Sequence, residues 1–451
     1  MSVLSLVLVA VTIGVVGATH LRMTNDDYWH AYVARLGFIG AMREWWLTTS
    51  GDLIAMASNT LLNGLPLLYF PWPLTSFVPH MVAFVVVGLT CMILLGVIRL
   101  ARFRQLISWV AGVLTFGFLW WVFLWTPLAF GGSTRLSIIL GITHWQNLNT
   151  AYVIPPALLL VGWLLLWRSR LSGARRGFLG FLLGCAVGLA GLVLGFATLA
   201  WLFSAGLVSW VTRPRLARQQ IVQALTTATG VLVGLTLSLF APGSRNRAAG
   251  YGVDSQAVVS RVFDTLVIFP QGLQDLLQSL WHPGVLLVIV IVVPIAALLA
   301  SVTSGKSLGG LEWSKSLLLL SFALMDATVS RLAQIWIGPS WWHTTTLQLL
   351  VFLAVVTASW TAGLAIGAKL TSRVQLALAV TAISGCFVGV GVVQIATQSM
   401  ILREREWSQG PALIEPIAQD INDVNGWQLH YWQQIVELRD APDRLSFLRE
   451  Q

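Results

Sequence analysis

Asp26 and Asp27 are adjacent carboxylates in the stretch "NDDY", which follows the first apolar segment of the chain. A carboxylate at such a place can take a proton from an attacking hydroxyl. Two neighbouring carboxylates also raise the proton affinity of one member by like-charge repulsion. The plainer alternative is that an aspartate at a solvated helix end caps the next helix. Charged groups at the end of a membrane span are costly unless solvated or paired, so each is a functional candidate. Arg245 and Arg247 follow a later apolar run in "APGSRNR", and Arg331 and His343 belong to "SRLAQIWIGPSWWHTT". The guanidinium fork matches phosphate oxygens, whereas His343 would be a titrating donor. His144, Asn147 and Tyr152 lie in a polar stretch, 133–156. Tyr28 and Tyr152 either anchor the chain at an interface or stack on the apolar face of a sugar ring. Carboxylates, arginines and histidines gathered at one membrane surface suit a lipid-phosphate ligand and a hydroxyl to be deprotonated.

Other chemistries fit less well. The sequence has no GxSxG, no HExxH and no Walker loop; "SVTSGKS" at 301–307 lacks the spacing and reads as a connector. His144 and His343 are too isolated to argue for a metal site. No carboxylate cluster has the ligand count of a calcium or magnesium site, which leaves open a divalent cation shared by one carboxylate and a substrate phosphate. No other cofactor is implied. Cys91, Cys185 and Cys386 are far apart and inside apolar runs, so they read as small buried residues.

The elements that must position these groups are membrane spans. The 451 residues are 56% hydrophobic and 10% charged, with a mean hydropathy of +0.78. Soluble domains carry roughly 25% charged residues. The fold class is an all-α polytopic membrane protein with about 11 transmembrane helices. They fall near 2–19, 76–98, 106–127, 150–167, 177–194, 196–211, 221–240, 284–303, 316–336, 345–367 and 374–399. The first segment lacks a basic n-region and a clear cleavage site, so it reads as a retained span. The fifth and sixth are expected to be a tight pair of short helices, because both flanks are basic.

Charge sets the orientation. Fourteen of the 27 basic residues fall in five short loops, which hold one acidic residue, Glu312. Basic loops stay in the cytoplasm, which predicts a cytoplasmic N-terminus and an extracytoplasmic C-terminus. Outer loops then cover 20–75 and 241–283, and "DDYWHAYVARLGFIGAMREWW" has the spacing of an interfacial helix. The stretch "VVSRVFDTLVIFPQGLQDLLQSLW" in the second loop is similar. The domain reading is a transmembrane unit over 1–400 and a small extracytoplasmic helical tail over 401–451. Asp326, near the interior of the ninth span, would be a proton-relay group if the chain were a transporter; the plainer expectation is that it pairs with Arg331. The net charge of +9 comes without a basic stripe interleaved with exposed aromatics, so no nucleic acid is implied.

With these features assembled, the chain resembles the GT-C superfamily of membrane glycosyltransferases, within it a broad group of bacterial multi-pass proteins. Three short motifs carry the likeness: Asp26-Asp27-Tyr28 in the first outer loop, "NTAYVIPP" around Tyr152 and Pro155, and "APGSRNR" with Arg245 and Arg247. The topology extends it over about the first 400 residues. The resemblance implies an inverting transfer of a sugar from a polyprenyl-phosphate donor to an extracytoplasmic cell-envelope glycan or glycolipid. It implies Asp26 as the general base, Asp27 as the next candidate or the group that orients the acceptor, and Arg245 and Arg247 as the clamp on the leaving phosphate. His343 and Arg331 join that phosphate set; Tyr28, His144, Asn147 and Tyr152 line the pocket. The chain departs from the group in its wholly apolar hairpin "LAGLVLGFATLAWLF" and in "PSWWHTT", where an arginine is common. The expected partners are the donor, the acceptor and membrane lipids, and the expected location is a bacterial plasma membrane. The bias of 24 Arg against 3 Lys fits a GC-rich genome and makes decaprenyl-phosphate arabinose one candidate donor. An oligosaccharide polymerase or ligase using polyprenyl-diphosphate donors is the alternative reading, and a transporter a more distant one.

Overall fold

The fold is seen in a computed structural model. It describes residues 3–19, 30, 33–34, 36–48, 50–66, 74–96, 106–129, 146–169, 171–212, 218–250, 268–302, 312–336, 344–367 and 370–409. These residues are helical, with no strand among them. In chain order the helices are α1 (Val3–Thr19), α2 (Gly37–Thr48), α3 (Leu53–Asn59, running into a π turn at Thr60–Gly64), α4 (Leu74–Leu95), α5 (Leu106–Ala129), α6 (Gln146–Tyr152) and α7 (Ile154–Arg168). There follow α8 (Gly173–Ala190), α9 (Leu192–Thr212), α10 (Arg218–Phe240), α11 (Pro242–Gly250), α12 (Ile268–Leu280), α13 (Pro283–Val302), α14 (Glu312–Trp336), α15 (Thr344–Gly367) and α16 (Ser372–Gln409).

Nine of these are long and apolar enough to cross a membrane, and α1 and the Leu192–Ser204 part of α9 are shorter apolar helices. The protein is therefore a multi-pass membrane protein. Apolar runs become helices here because a spanning segment must satisfy every backbone N–H and C=O internally.

Aromatic side chains fill the centre. Trp120, Trp121 and Phe123 of α5 are each 1% exposed, and Phe352 of α15 is fully buried. Trp120 meets Phe352 edge-on at 5.1 Å and Trp121 stacks on Trp125 at 4.8 Å. Small residues do the work elsewhere. Gly184 and Gly188 of α8 lie against Gly230 and Gly234 of α10, where a Cβ would run into the facing backbone. Such small-residue faces let helix backbones approach closely without a hydrophobic driving force between them.

That seam also fixes direction. Gly177 faces Thr226, Gly184 faces Gly230 and Gly188 faces Gly234, so α8 and α10 run parallel. The intervening α9 must therefore return between them, as the paired basic flanks predict. The break falls at Gly191, so residues 192–194 open α9 rather than close the fifth span. A long apolar run hides such a break, because glycine and leucine score alike as non-polar.

Three other expectations change in detail. The final helix does not stop at residue 399 but continues to Gln409; residues 410–451 lie outside the described residues. The fourth span is preceded by a separate helix, α6, because Pro155 and Pro156 cannot donate backbone hydrogen bonds. In the second loop, α12 lies alongside the C-terminal half of α14. Gly272 packs on Thr328, and one turn later Asp275 meets Arg331, so the two helices run in the same direction. Its outward side carries the apolar stripe Phe269, Leu273 and Leu277 beside exposed Gln271, Gln274 and Gln278.

The two ends of the bundle differ. At one end, Lys315 donates to the Leu94 carbonyl at 2.8 Å and Arg176 to that of Ser169. At the other end, α2, α3, α6 and α11 form a roof over the starts of α4, α7 and α15 and the end of α10.

A candidate functional site under the roof

The roof is built around Asn59 at the end of α3. The π turn that follows brings Asn63 back so that its Nδ2 donates to Asn59 Oδ1 at 3.1 Å. Thr150 Oγ1 of α6 donates to the same oxygen at 3.0 Å. Asn59 Nδ2 lies 2.7 Å from His30 Nε2. With its oxygen accepting twice, the amide nitrogen is the donor, so His30 Nε2 accepts and the ring proton sits on Nδ1. Burial holds His30 well below its ordinary value, at about 3. His30 is therefore a neutral, fixed imidazole. Trp45 of α2 packs against it with the rings tilted, 4.5 Å between centroids, and donates Nε1–H to Thr60 Oγ1 at 3.3 Å.

A second seam joins the first loop to the α10–α11 corner. Asp52, 7% exposed, accepts Ser238 Oγ–H on Oδ1 at 3.2 Å. The Gly51 N–H donates to Ser244 Oγ at 2.9 Å, and Ser244 Oγ donates to the Ser238 carbonyl at 2.8 Å. Asn246 Nδ2 donates to the Leu47 carbonyl at 3.2 Å. Gly51 is required by the close approach: a Cβ there would collide with the Ser238 backbone. These bonds hold α11, and with it Arg245 and Arg247, against α2.

Below the roof, Asn149 of α6 lies 3.3 Å from His80 of α4 through Nδ2 and Nδ1. Pro156 has no N–H to give the Tyr152 carbonyl four residues back, and Thr346 Oγ1 of α15 donates to it instead at 3.0 Å. Thr345 Oγ1, Gln348 Oε1 and His80 Nε2 are buried with no hydrogen-bond partner among the described residues. The lower edge of the roof is thus polar and incompletely satisfied, as a site that receives a polar ligand would be.

The residues singled out in the sequence fare differently. Asp26, Asp27 and Tyr28 lie outside the described residues, between Thr19 and His30; His144 and His343 lie outside them too. Asn147 belongs to α6, with its side chain outside the described residues. Tyr152 is 8% exposed and packs in one cluster with Val33, Trp45 and Met56. It belongs to the roof as packing, with its carbonyl engaged. Arg245 is exposed, its guanidinium 5.5 Å over the Phe240 ring. Arg247 lies two residues on in the same helix.

Arg331 differs from expectation. It does not pair with Asp326; its Nε and Nη2 grip Asp275 of α12, both at 2.6 Å. On a helix, residues five apart do not face each other, and α12 supplies a closer carboxylate. Among the described residues no group of three or more His, Cys, Asp or Glu side chains could hold a metal ion.

Sequence reasoning did not single out His30, Asn59, Asn63, Asp52, His80, Asn149 or Thr150. Asn59 and Asn63, four apart in "SNTLLNG", carried the readable trace: two amides on one face of an otherwise apolar turn.

The sequence matches no protein-family model, and no curated protein and no solved structure is significantly similar to it.

Proposed function

We propose that the protein is an inverting membrane glycosyltransferase of GT-C type, moving a sugar from a polyprenyl-phosphate donor to a hydroxyl of a cell-envelope glycan or glycolipid. One observation carries the reading. The roof ties the flank of the Asp26–Asp27 segment, through His30 and α3, to the helix that bears Arg245 and Arg247. The chain just after the candidate base and the helix that bears the candidate phosphate clamp thereby meet at one end of the bundle. The basic residues Arg176 and Lys315 mark the opposite end, which favours a cytoplasmic assignment for that end and an extracytoplasmic one for the roof. On this reading α1 and α9 complete eleven spans in a bacterial plasma membrane.

In the reaction Asp26 takes the acceptor hydroxyl proton as the oxygen attacks the anomeric carbon. The bond from that carbon to the donor phosphate oxygen breaks, with inversion, and Arg245 and Arg247 offset the charge on the departing lipid phosphate. Asp27 orients the acceptor. Neutral His30, locked by Asn59, positions the segment and does not serve as the base.

The test is mass spectrometry of lipids that co-purify with gently solubilised protein, followed by transfer assays on Asp26→Asn. A bound polyprenyl-monophosphate sugar, with transfer lost in the variant and donor binding kept, supports the assignment. A polyprenyl-diphosphate oligosaccharide would move the protein to the polymerase and ligase class and leave Asp26 as a helix cap.

A further inference from the structure

Asp326 sits within α14, ten residues from its end at Trp336 and fourteen from its start at Glu312. At 1.5 Å per residue that is about 15 Å from the roofed end and about 21 Å from the other, near the middle of the span. The side chain is 1% exposed, and neither carboxyl oxygen has a hydrogen-bond partner among the described residues.

The two cations on α14 are engaged elsewhere. Arg331 is held in a two-bond fork by Asp275. Lys315, at the far end of the same helix, donates to the Leu94 carbonyl. The helices that pack most closely on α14 are α15, α12 and α9. Neither α15 nor α9 has a titratable residue, and α12 has Asp275 alone, already bound to Arg331. The residues beside Asp326 on the buried side of α14 are Ala323, Ala327 and Ser330.

An ionised carboxylate in such a place would lose its hydration and gain nothing in return. Two ligands relieve that cost: a proton, which needs no further donor atoms, or a metal cation, which needs several oxygens. Among the described residues no cluster of acidic, histidine or cysteine groups accompanies Asp326.

We infer that Asp326 is a proton-binding site in the middle of the membrane, carrying its proton at neutral pH. This goes beyond the transferase reading: it needs neither sugar nor phosphate and would hold if that reading failed. The residue is not a partner of Arg331, as expected from the sequence, but an isolated acid sealed in the α14 packing face.

Infrared difference spectroscopy of the full-length protein in lipid nanodiscs at pH 7 tests it. Subtracting the Asp326→Asn spectrum from the wild type should leave a protonated-carboxyl C=O band, with no change in the carboxylate bands. A lost carboxylate band instead would overturn the assignment. A rise in wild-type thermal stability when sodium replaces choline in the buffer, absent in the variant, would also overturn it and make the site a cation site. A second measurement needs only the wild type, should the variant fail to fold. A hydrophobic carbodiimide adds the O–H of a carboxylic acid across one C=N bond, and the adduct rearranges to a stable N-acylurea. Peptide mass spectrometry should find it on Asp326 at pH 7. Absence of both the band and the adduct would overturn the inference.

Discussion

Two buried polar regions of this molecule obey opposite rules. Under the roof, Asn59 is 1% exposed and both ends of its amide are engaged: its oxygen accepts from Asn63 and Thr150, and its nitrogen serves His30. In the middle of α14, Asp326 is equally buried and both its oxygens lack partners among the described residues. The first arrangement is a fixed scaffold, since each member orients the next and none can turn without leaving another bare. The second holds a reactive group in isolation, which fixes its protonation and nothing else. Burial alone therefore does not say what a polar residue is for; its bonds do.

The comparison breaks most visibly at Asn59. Replacing it with Leu should leave the Thr150 hydroxyl, the Asn63 amide and the His30 ring each short of one partner. At about 1–3 kcal/mol for each unsatisfied group, the loss should be on the order of 3–9 kcal/mol. A large fall in the thermal midpoint of the detergent-solubilised protein would show it; a fall no bigger than that of a surface variant would mean the network is not cooperative.

The pH dependence of the scaffold comes next. His30 is held at about 3 against an ordinary value of 6.5, so the folded state binds its proton less readily than the unfolded chain. Its contribution is complete above 6.5 and is lost as pH falls from there towards 3, at about 1.4 kcal/mol per pH unit. His282, buried at the start of α13 and held at about 4, adds in the same sense down to that pH. Thermal midpoints from pH 7 to pH 4 should fall less steeply for His30→Gln than for the wild type. Parallel curves would remove His30 from the account.

Arg331→Met opens the Asp275 fork. Because the arginine is 37% exposed and the aspartate 21%, solvent screens the pair, and the cost should be about 1 kcal/mol. Guanidinium midpoints of the two proteins would measure it. A loss several times larger would mean that Arg331 also serves Asp326, which would end the isolation of the second region.

The smallest stability effects are expected at Asp326 and Arg245. Asp326→Leu exchanges a neutral acid without partners for an apolar side chain of similar size, so it should change stability by less than about 1 kcal/mol or raise it. A loss of about 3 kcal/mol or more would mean that a charge is paired there. Arg245→Ala should leave the stability within about 0.5 kcal/mol, as exposed substitutions do, while titration with a polyprenyl-phosphate sugar shows weaker binding. Unchanged affinity in Arg245→Ala, Arg247→Ala and the double variant would end the clamp assignment.

Much of the fold could be read from the chain. Runs such as 284–303 and 345–367 are apolar on every side, and α13 and α15 occupy nearly those limits. The paired basic flanks of α8 and α9 foretold a hairpin, and the glycine register of α8 on α10 requires one. The break at Gly191 was harder, since glycine inside an apolar run serves a turn or a close packing face equally well. The candidate site was less legible. Tyr152 stood out as an aromatic before a Pro-Pro step, but what matters structurally is its carbonyl, freed by Pro156 and taken by Thr346 from 194 residues away.

The sequence by itself determined that the protein is a multi-pass helical membrane protein, because hydropathy and backbone satisfaction in lipid are local properties that add along the chain. It also determined which residues bear charge in so apolar a setting. Only the tertiary structure decided which of those charges meet. Arg331 chose Asp275 over Asp326, and Asn59 gathered His30 and Thr150 from 29 and 91 residues away. The reason is physical: a hydrogen bond is made across about 3 Å of space, and separation along the chain does not enter it.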